Sequence, residues 1–245
     1  MQWSKKTNGG LNFLRNILML YIFGIQLKIT SMPQGTHVRA LAHARVRISA
    51  SMNWPPKRED LEQVLAEWVP SFGLRRHMYS VEVAVRGYAK RHNEDPDSWG
   101  AVALFHDLDY EKYPTEADHP YRAVDFLKGQ GWPDWALRAI LSHADYTDTP
   151  RESMLEKVLY ACDEITGLIV ATALVRPDKD IKSVKVKSVK KKWKQKSFAA
   201  GVNRDDVIKG CEDLGLDLWE HVGFVLECMQ SASVLLELDG NEPDS

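Results

Sequence analysis

Six side chains able to bind a metal sit on the apolar stripes of successive helical segments between positions 77 and 163, and no other feature restricts the fold as much. They are His77, His106, Asp107, His119, His143 and Asp163. A carboxylate or imidazole on an inward face costs folding energy unless it gains a partner. A fold that accepts six must bring them together.

The segments read as helices. Around position 77, His77, Val81, Ala84, Val85 and Tyr88 share one face of a helix expected from about Arg76 to Arg91. The next helix follows the turn NEDPDS, carries WGAVALFHD and is expected to end near Asp107. Another starts near His119 and runs through YRAVDFLKG to a glycine stop. In PDWALRAILSHAD, the stripe is Trp135, Ala136, Ala139, Ile140 and His143. The following helix has an opening signal at Thr149-Pro150-Arg151-Glu152, with Thr149 as cap and Glu152 closing a capping box. It places Asp163 on a face with Leu155, Leu159, Thr166 and Val170. Closing helices are expected from Asn203 through CEDLG and from Asp217 through WEHVGFVLECM, and an opening one over KREDLEQVLAEWV with Pro55-Pro56 in its first turn. With no strand alternation after Met52, the fold class is all-α.

Composition bounds the remainder. At 245 residues, 44% hydrophobic and 27% charged, the chain suits one globular catalytic domain, and a net charge of -2 favours no polyanionic partner such as nucleic acid overall. Positions 1–58 contain nine Lys/Arg and no Asp or Glu, so all 34 acids lie beyond them. Residues 1–51 are expected to be a poorly packed leader, either a targeting segment or sequence upstream of a natural start at Met52. Its apolar run Ile17 to Ile25 is too short for a stable membrane span, which needs about 20 residues. The catalytic domain is expected over 52–240: a ligand core at 72–175, a basic segment at 176–200, and closing helices at 203–238, before a tail at 241–245. Cys162, Cys211 and Cys228 have neither disulfide-scaffold density nor zinc spacing, read as ordinary helix residues, and suit a reducing, cytoplasmic setting.

Any one of these histidines alone reads as a satisfied core residue; the set reads as a metal site. Four imidazoles and two carboxylates suit borderline divalent ions, Mn, Fe, Co, Ni or Zn, better than calcium. Adjacent side chains diverge on a helix, so His106 and Asp107 need a distorted helix end to reach one ion. Asp107 has two oxygens and could join a first site (His77, His106, Asp163) to a second (His119, His143), giving one or two ions. His119 could instead be a plain residue at a helix start, after Asp118. His92 and His221 fall outside the pattern and read as surface residues.

The string of His77, His106-Asp107, His119, His143 and Asp163 resembles the ligand string of the HD-domain superfamily of metal-dependent phosphohydrolases, in its bacterial, HDIG-like form. The resemblance covers residues 72–175 in RRHMYSVEVA, ALFHDLDYE, ADHPYRA, ILSHADY and LYACDEITGLI, followed by VKSVKKKWKQKSFAAGV. It implies a helical bundle with the metals in its core, His77, His106, Asp107 and Asp163 on the primary ion and His119 and His143 on the second. The implied activity is metal-assisted hydrolysis of a small phosphorylated substrate, a phosphomonoester and possibly a nucleotide. Asp107 is the catalytic carboxylate; Asp109 and Glu164 would orient ligand histidines or manage protons. Phosphate would be held by Lys112 after the HD pair and by Lys187, Lys190 and Lys191 of the basic segment. Positions 176–196 hold ten Lys/Arg against two Asp, which reads equally as a solvated face. Two other readings stand beside the hydrolase: a di-iron oxygenase of the same fold, and a nucleotide- or RNA-binding module with structural metal. Oligomeric state is left open.

Overall fold

The computed structural model describes residues 54–241, so the leader expected at 1–51, with Met52 as a start, lies outside the described residues, as do positions 242–245. The described residues form nine α-helices and two short 3-10 turns, with no strand among them. In chain order they are α1 (Arg58–Trp68), α2 (Phe72–Arg91), α3 (Pro96–Leu104), α4 (Tyr121–Gly129) and α5 (Asp134–Ser142). α6 (Met154–Leu174), α7 (Val186–Trp193), α8 (Arg204–Leu214) and α9 (Leu218–Ser231) follow. The all-helical expectation is met. No helix among the described residues is long and apolar enough to cross a membrane.

α2 and α6 are the axis of the bundle. α2 packs along α3 and α6, and α6 packs along α8 as well, so most of its faces are covered. This explains why MLEKVLYACDEITGLIVATAL is apolar on more than one side. Leu159, Ile165, Leu168 and Ile169 are fully buried there, and truncating such a residue to alanine costs about 2–5 kcal/mol. α8 approaches α6 closely enough that a Cβ on Gly210 would lie 2.6 Å from the Ala161 Cα, which fixes glycine at that crossing.

Five of the nine helices start at a side-chain cap. Ser71, Asp95, Asn203 and Asp217 each accept a backbone N–H in the first turn of α2, α3, α8 and α9. α6 begins later than the sequence suggests. The motif S/T-x-x-E occurs twice, as Thr149 to Glu152 and as Ser153 to Glu156, and the second forms the capping box. The Glu156 carboxylate accepts the Ser153 amide at 2.8 Å and the Glu152 amide at 2.6 Å, while Arg138 of α5 binds its other oxygen at 2.9 Å. Arg138 also donates to the Pro150 carbonyl at 2.6 Å, holding the would-be first turn extended. At the other end, Pro55 and Pro56 precede α1 instead of entering it. Trp135 is another correction: it stands 45% exposed, edge-on to Trp54, because Leu137 takes the inward position on α5.

His221 is buried, contrary to the surface position expected for it, while His92 is exposed as expected. Both its ring nitrogens are satisfied: Nε2 donates to the Ala161 carbonyl at 2.9 Å, leaving Nδ1 to accept the Tyr88 hydroxyl at 2.7 Å. Burial lowers the His221 pKa below the ordinary imidazole value of 6.5, although the Ala161 contact opposes the shift. The unfolded chain therefore takes up a proton before the folded one. The stabilising contribution is present above pH 6.5 and is lost as the pH falls through the lowered folded-state value. His221→Gln keeps an acceptor and a donor but cannot titrate. The unfolding free energy of the native protein relative to this variant, from denaturant titrations at pH 8 and pH 5, is expected to decline with acid; a pH-independent difference would refute the assignment.

Candidate metal centre

Five helices and the turns between them converge on the six groups. α2 carries His77 and α6 carries Asp163, so the axial pair brings the first and last members of the string into contact, with His77 Nε2 3.0 Å from Asp163 Oδ1. α3 ends at Leu104, three residues before the expected Asp107, and His106 and Asp107 occupy the turn beyond. That early end frees the two neighbours from helical divergence. His119 stands in the turn just before α4, and His143 caps the C-terminus of α5.

The imidazole tautomers are set from behind. His106 Nδ1 donates to the Ala103 carbonyl at 2.7 Å and His143 Nδ1 to the Ile140 carbonyl at 2.5 Å, each three residues back at a helix end where carbonyls lack helical partners. His119 Nδ1 donates to Asp109 Oδ1 at 2.7 Å. His77 Nδ1 lies 3.5 Å from the Thr166 hydroxyl, which itself donates to the Asp163 carbonyl at 2.7 Å. With Nδ1 so engaged, all four rings turn Nε2 toward the centre.

The facing atoms fall into two groups that share Asp107. In the first, Asp107 Oδ2 is 3.6 Å from His77 Nε2 and 3.4 Å from His106 Nε2, and Asp163 Oδ1 is 3.5 Å from His106 Nε2. In the second, Asp107 Oδ1 is 3.3 Å from His119 Nε2 and 3.5 Å from His143 Nε2. His77, His106 and Asp163 could hold one ion, and Asp107, His119 and His143 another. Ligands at about 2.0–2.2 Å from one ion stand about 2.8–3.6 Å from each other in octahedral or tetrahedral arrangements. The observed separations match that range.

The electrostatics point the same way. His77 Nε2 and His106 Nε2 lie 3.3 Å apart, two ring nitrogens aimed at one point, which requires a cation or a proton between them. Burial would lower the His106 pKa, but the Asp107 and Asp163 carboxylates overcome it and hold it well above the ordinary value. Burial would likewise raise both aspartates, and the histidines, His106 foremost, hold Asp107 and Asp163 well below the usual carboxylate range. The two carboxylates therefore stay anionic and favour positive charge, whether proton or metal cation, on the Nε2 atoms that face them. Asp163 is the most open of the six, its side chain 20% exposed against 11% or less for the others, so the centre meets solvent on that side.

The expected supporting residues divide. Asp109 is fully buried and holds the His119 ring; it also accepts the Ala123 amide at 2.8 Å, capping α4 where Pro120 has no side chain to do so. Glu164 instead accepts the Asn203 amide at 3.0 Å and ties α6 to the cap of α8. Lys112, expected to hold phosphate, donates to the Glu67 carbonyl at 3.1 Å and lies 4.7 Å over the Trp68 ring, at the C-terminus of α1. Lys187, Lys190 and Lys191 are exposed on α7, and Lys190 rests over Trp219. Of the tyrosines near the ligands, Tyr110 packs edge-on to His119 with ring centres 5.1 Å apart. Tyr146 is partly exposed and its pKa is raised, by burial first and then by Asp107 and Asp109. The contact of Thr166 with His77 and the carbonyls of Ala103 and Ile140 were missed; for the two carbonyls, histidines one or two residues past a helix end are the sequence signal.

The chain matches no protein-family model, no curated protein and no solved structure. The functional reading therefore rests on the geometry and on the ligand string.

Proposed function

We propose that the protein is a metal-dependent phosphohydrolase of the HD-domain type, acting on a small phosphomonoester at the His77, His106, Asp107, His119, His143 and Asp163 cluster. The observation that carries this reading is the Asp107 carboxylate, whose two oxygens face two separate sets of Nε2 atoms within 3.6 Å. Two borderline divalent ions there would supply an acidic bound water and neutralise charge on a phosphoryl group. The chain's own part is positioning. The Nδ1 contacts of His106, His119 and His143 fix their rings, and Asp163 leaves the first group open to solvent. Asp107 supplies the shared anion, which sets the spacing of the two groups.

Metal-free protein loaded in turn with Mn, Co, Zn or Fe is expected to hydrolyse para-nitrophenyl phosphate or a nucleoside monophosphate with at least one of them, and to lose that activity on chelation. A histidine-rich pair of sites around one carboxylate also favours a di-iron oxygenase as the second reading. Dioxygen consumption by the Fe-loaded protein, with no phosphate release under any metal, would replace the first reading with the second.

A further inference from the structure

Positions 181–203 hold eight Lys and no Asp or Glu, whereas all 34 acids of the chain lie elsewhere beyond position 58. α7 occupies the middle of this stretch and sorts it by face. Val189 is buried and Val186 and Trp193 are half-buried, while Lys187, Lys190, Lys191 and Lys194 are exposed. At spacings of three and four residues these lysines share one side of the helix, in a row about 10 Å long. None of the four makes an ion pair among the described residues. Like charges at such spacings destabilise a helix, and an external anion relieves them.

An aliphatic knuckle stands beside the basic stretch. Val234 is 71% exposed and Leu235 43%, in the turn that follows α9. Both ends of that turn are tied to the chain leading into α7. The Gln230 side-chain amide donates to the carbonyls of Ile181 and Val184 at 3.0 and 2.9 Å, and the Leu238 carbonyl accepts the Ile181 amide at 2.8 Å. The two aliphatic side chains are thereby fixed next to the segment that carries the exposed Lys182 and Lys185.

We propose that this face docks on an anionic phospholipid bilayer, with the α7 lysines over the headgroup phosphates and Val234 and Leu235 set into the interface. The proposal is independent of the reaction at the metals. Lysine is a compact point charge on a flexible stem, which suits a fluid layer of headgroups better than a ligand of fixed geometry. Exposed aliphatic side chains gain from an acyl boundary and nothing from a polyanion such as RNA. Bases would also need free rings to stack on, and those beside the row are covered, Trp219 by Lys190 at 4.8 Å and Phe198 by Lys192 at 4.3 Å. The same bilayer repels the acid-bearing remainder of the body, which leaves this face as the one presented.

The test is co-sedimentation of the full chain with vesicles of phosphatidylcholine, pure or with one lipid in three replaced by phosphatidylserine. Binding is expected only with phosphatidylserine present. Each lysine near such a surface strengthens attachment about fivefold, so the variant Lys187→Glu/Lys191→Glu/Lys194→Glu is expected to lower the partition coefficient about 100-fold or more. Val234→Ser/Leu235→Ser is expected to lower it about tenfold with the salt dependence kept. The substituted side chains are all exposed; should the triple variant still fail to fold, Lys191→Ala/Lys194→Ala is expected to show a loss of about 25-fold. The basic residues of positions 1–58 are the same in every variant, so an unchanged partition coefficient in the lysine variants overturns the proposal. An unchanged coefficient in the aliphatic variant overturns it as well. So does a native chain that ignores both kinds of vesicle, whether or not it retains an RNA oligomer.

Discussion

Asp107→Ala is expected to empty both halves of the centre at once. Elemental analysis of native protein after desalting is expected to show about two ions per chain, as in two-metal hydrolases, and of the variant close to none. Phosphate release should fall by about 10³-fold or more, equivalent to about 4 kcal/mol of transition-state stabilisation. The reason is geometric: Oδ2 faces His77 and His106, and Oδ1 faces His119 and His143. No other side chain of the six touches both groups in this way. His119→Ala, by contrast, removes one donor from the second group only, and is expected to lower that ion's occupancy while the first is kept. A variant lacking Asp107 that still retained both ions would show that the carboxylate does not bridge them.

Asp109→Ala is expected to produce the second largest effect although Asp109 faces neither group directly. Its two buried oxygens receive the His119 Nδ1–H and the Ala123 amide. Leaving a buried donor without an acceptor costs about 1–3 kcal/mol, and removing the partner behind a ligand histidine lowers metal affinity about 10–100-fold. Both costs arise together, so thermal unfolding should shift downward in the metal-free protein and the second ion's dissociation constant should rise. Asp109→Asn restores only half, since one amide group offers an acceptor to one donor and an N–H to the other. Unchanged metal binding in a destabilised Asp109→Ala protein would reduce its role to capping α4.

The parts of this architecture that sequence discloses are those with local causes. Asn203 and Asp217 stop the preceding chain and start α8 and α9 because a single side chain reaches the amides two or three residues on. The convergence of the six His and Asp groups was readable for a related reason, since polar groups on apolar stripes have nowhere else to point. The start of α6 was misread because Thr149 and Ser153 head identical motifs, and Arg138 on another helix decides between them. His221 looked superficial because its partner Tyr88 lies 133 residues away in the chain. Lys112 and Glu164 carry charges suited to a site, but their neighbours in space, Glu67 and Asn203, are invisible in a linear reading. Arg204 shares that origin: its guanidinium gathers the carbonyls of Trp193, Gln195, Phe198 and Val202, a role that a linear reading does not disclose.

On the proposed reading, the anchored imidazoles also bear on which ion the cluster takes. His106, His119 and His143 are held by Ala103, Asp109 and Ile140 and not by an ion, and their nitrogens with two carboxylates are a donor set that all the borderline ions accept. Intrinsic affinity in such a nitrogen and oxygen cradle follows the general rise from manganese to copper. The ion carried by freshly isolated protein is therefore expected to mirror the supply of metals during synthesis, and the metal that supports the fastest turnover need not be the one found bound.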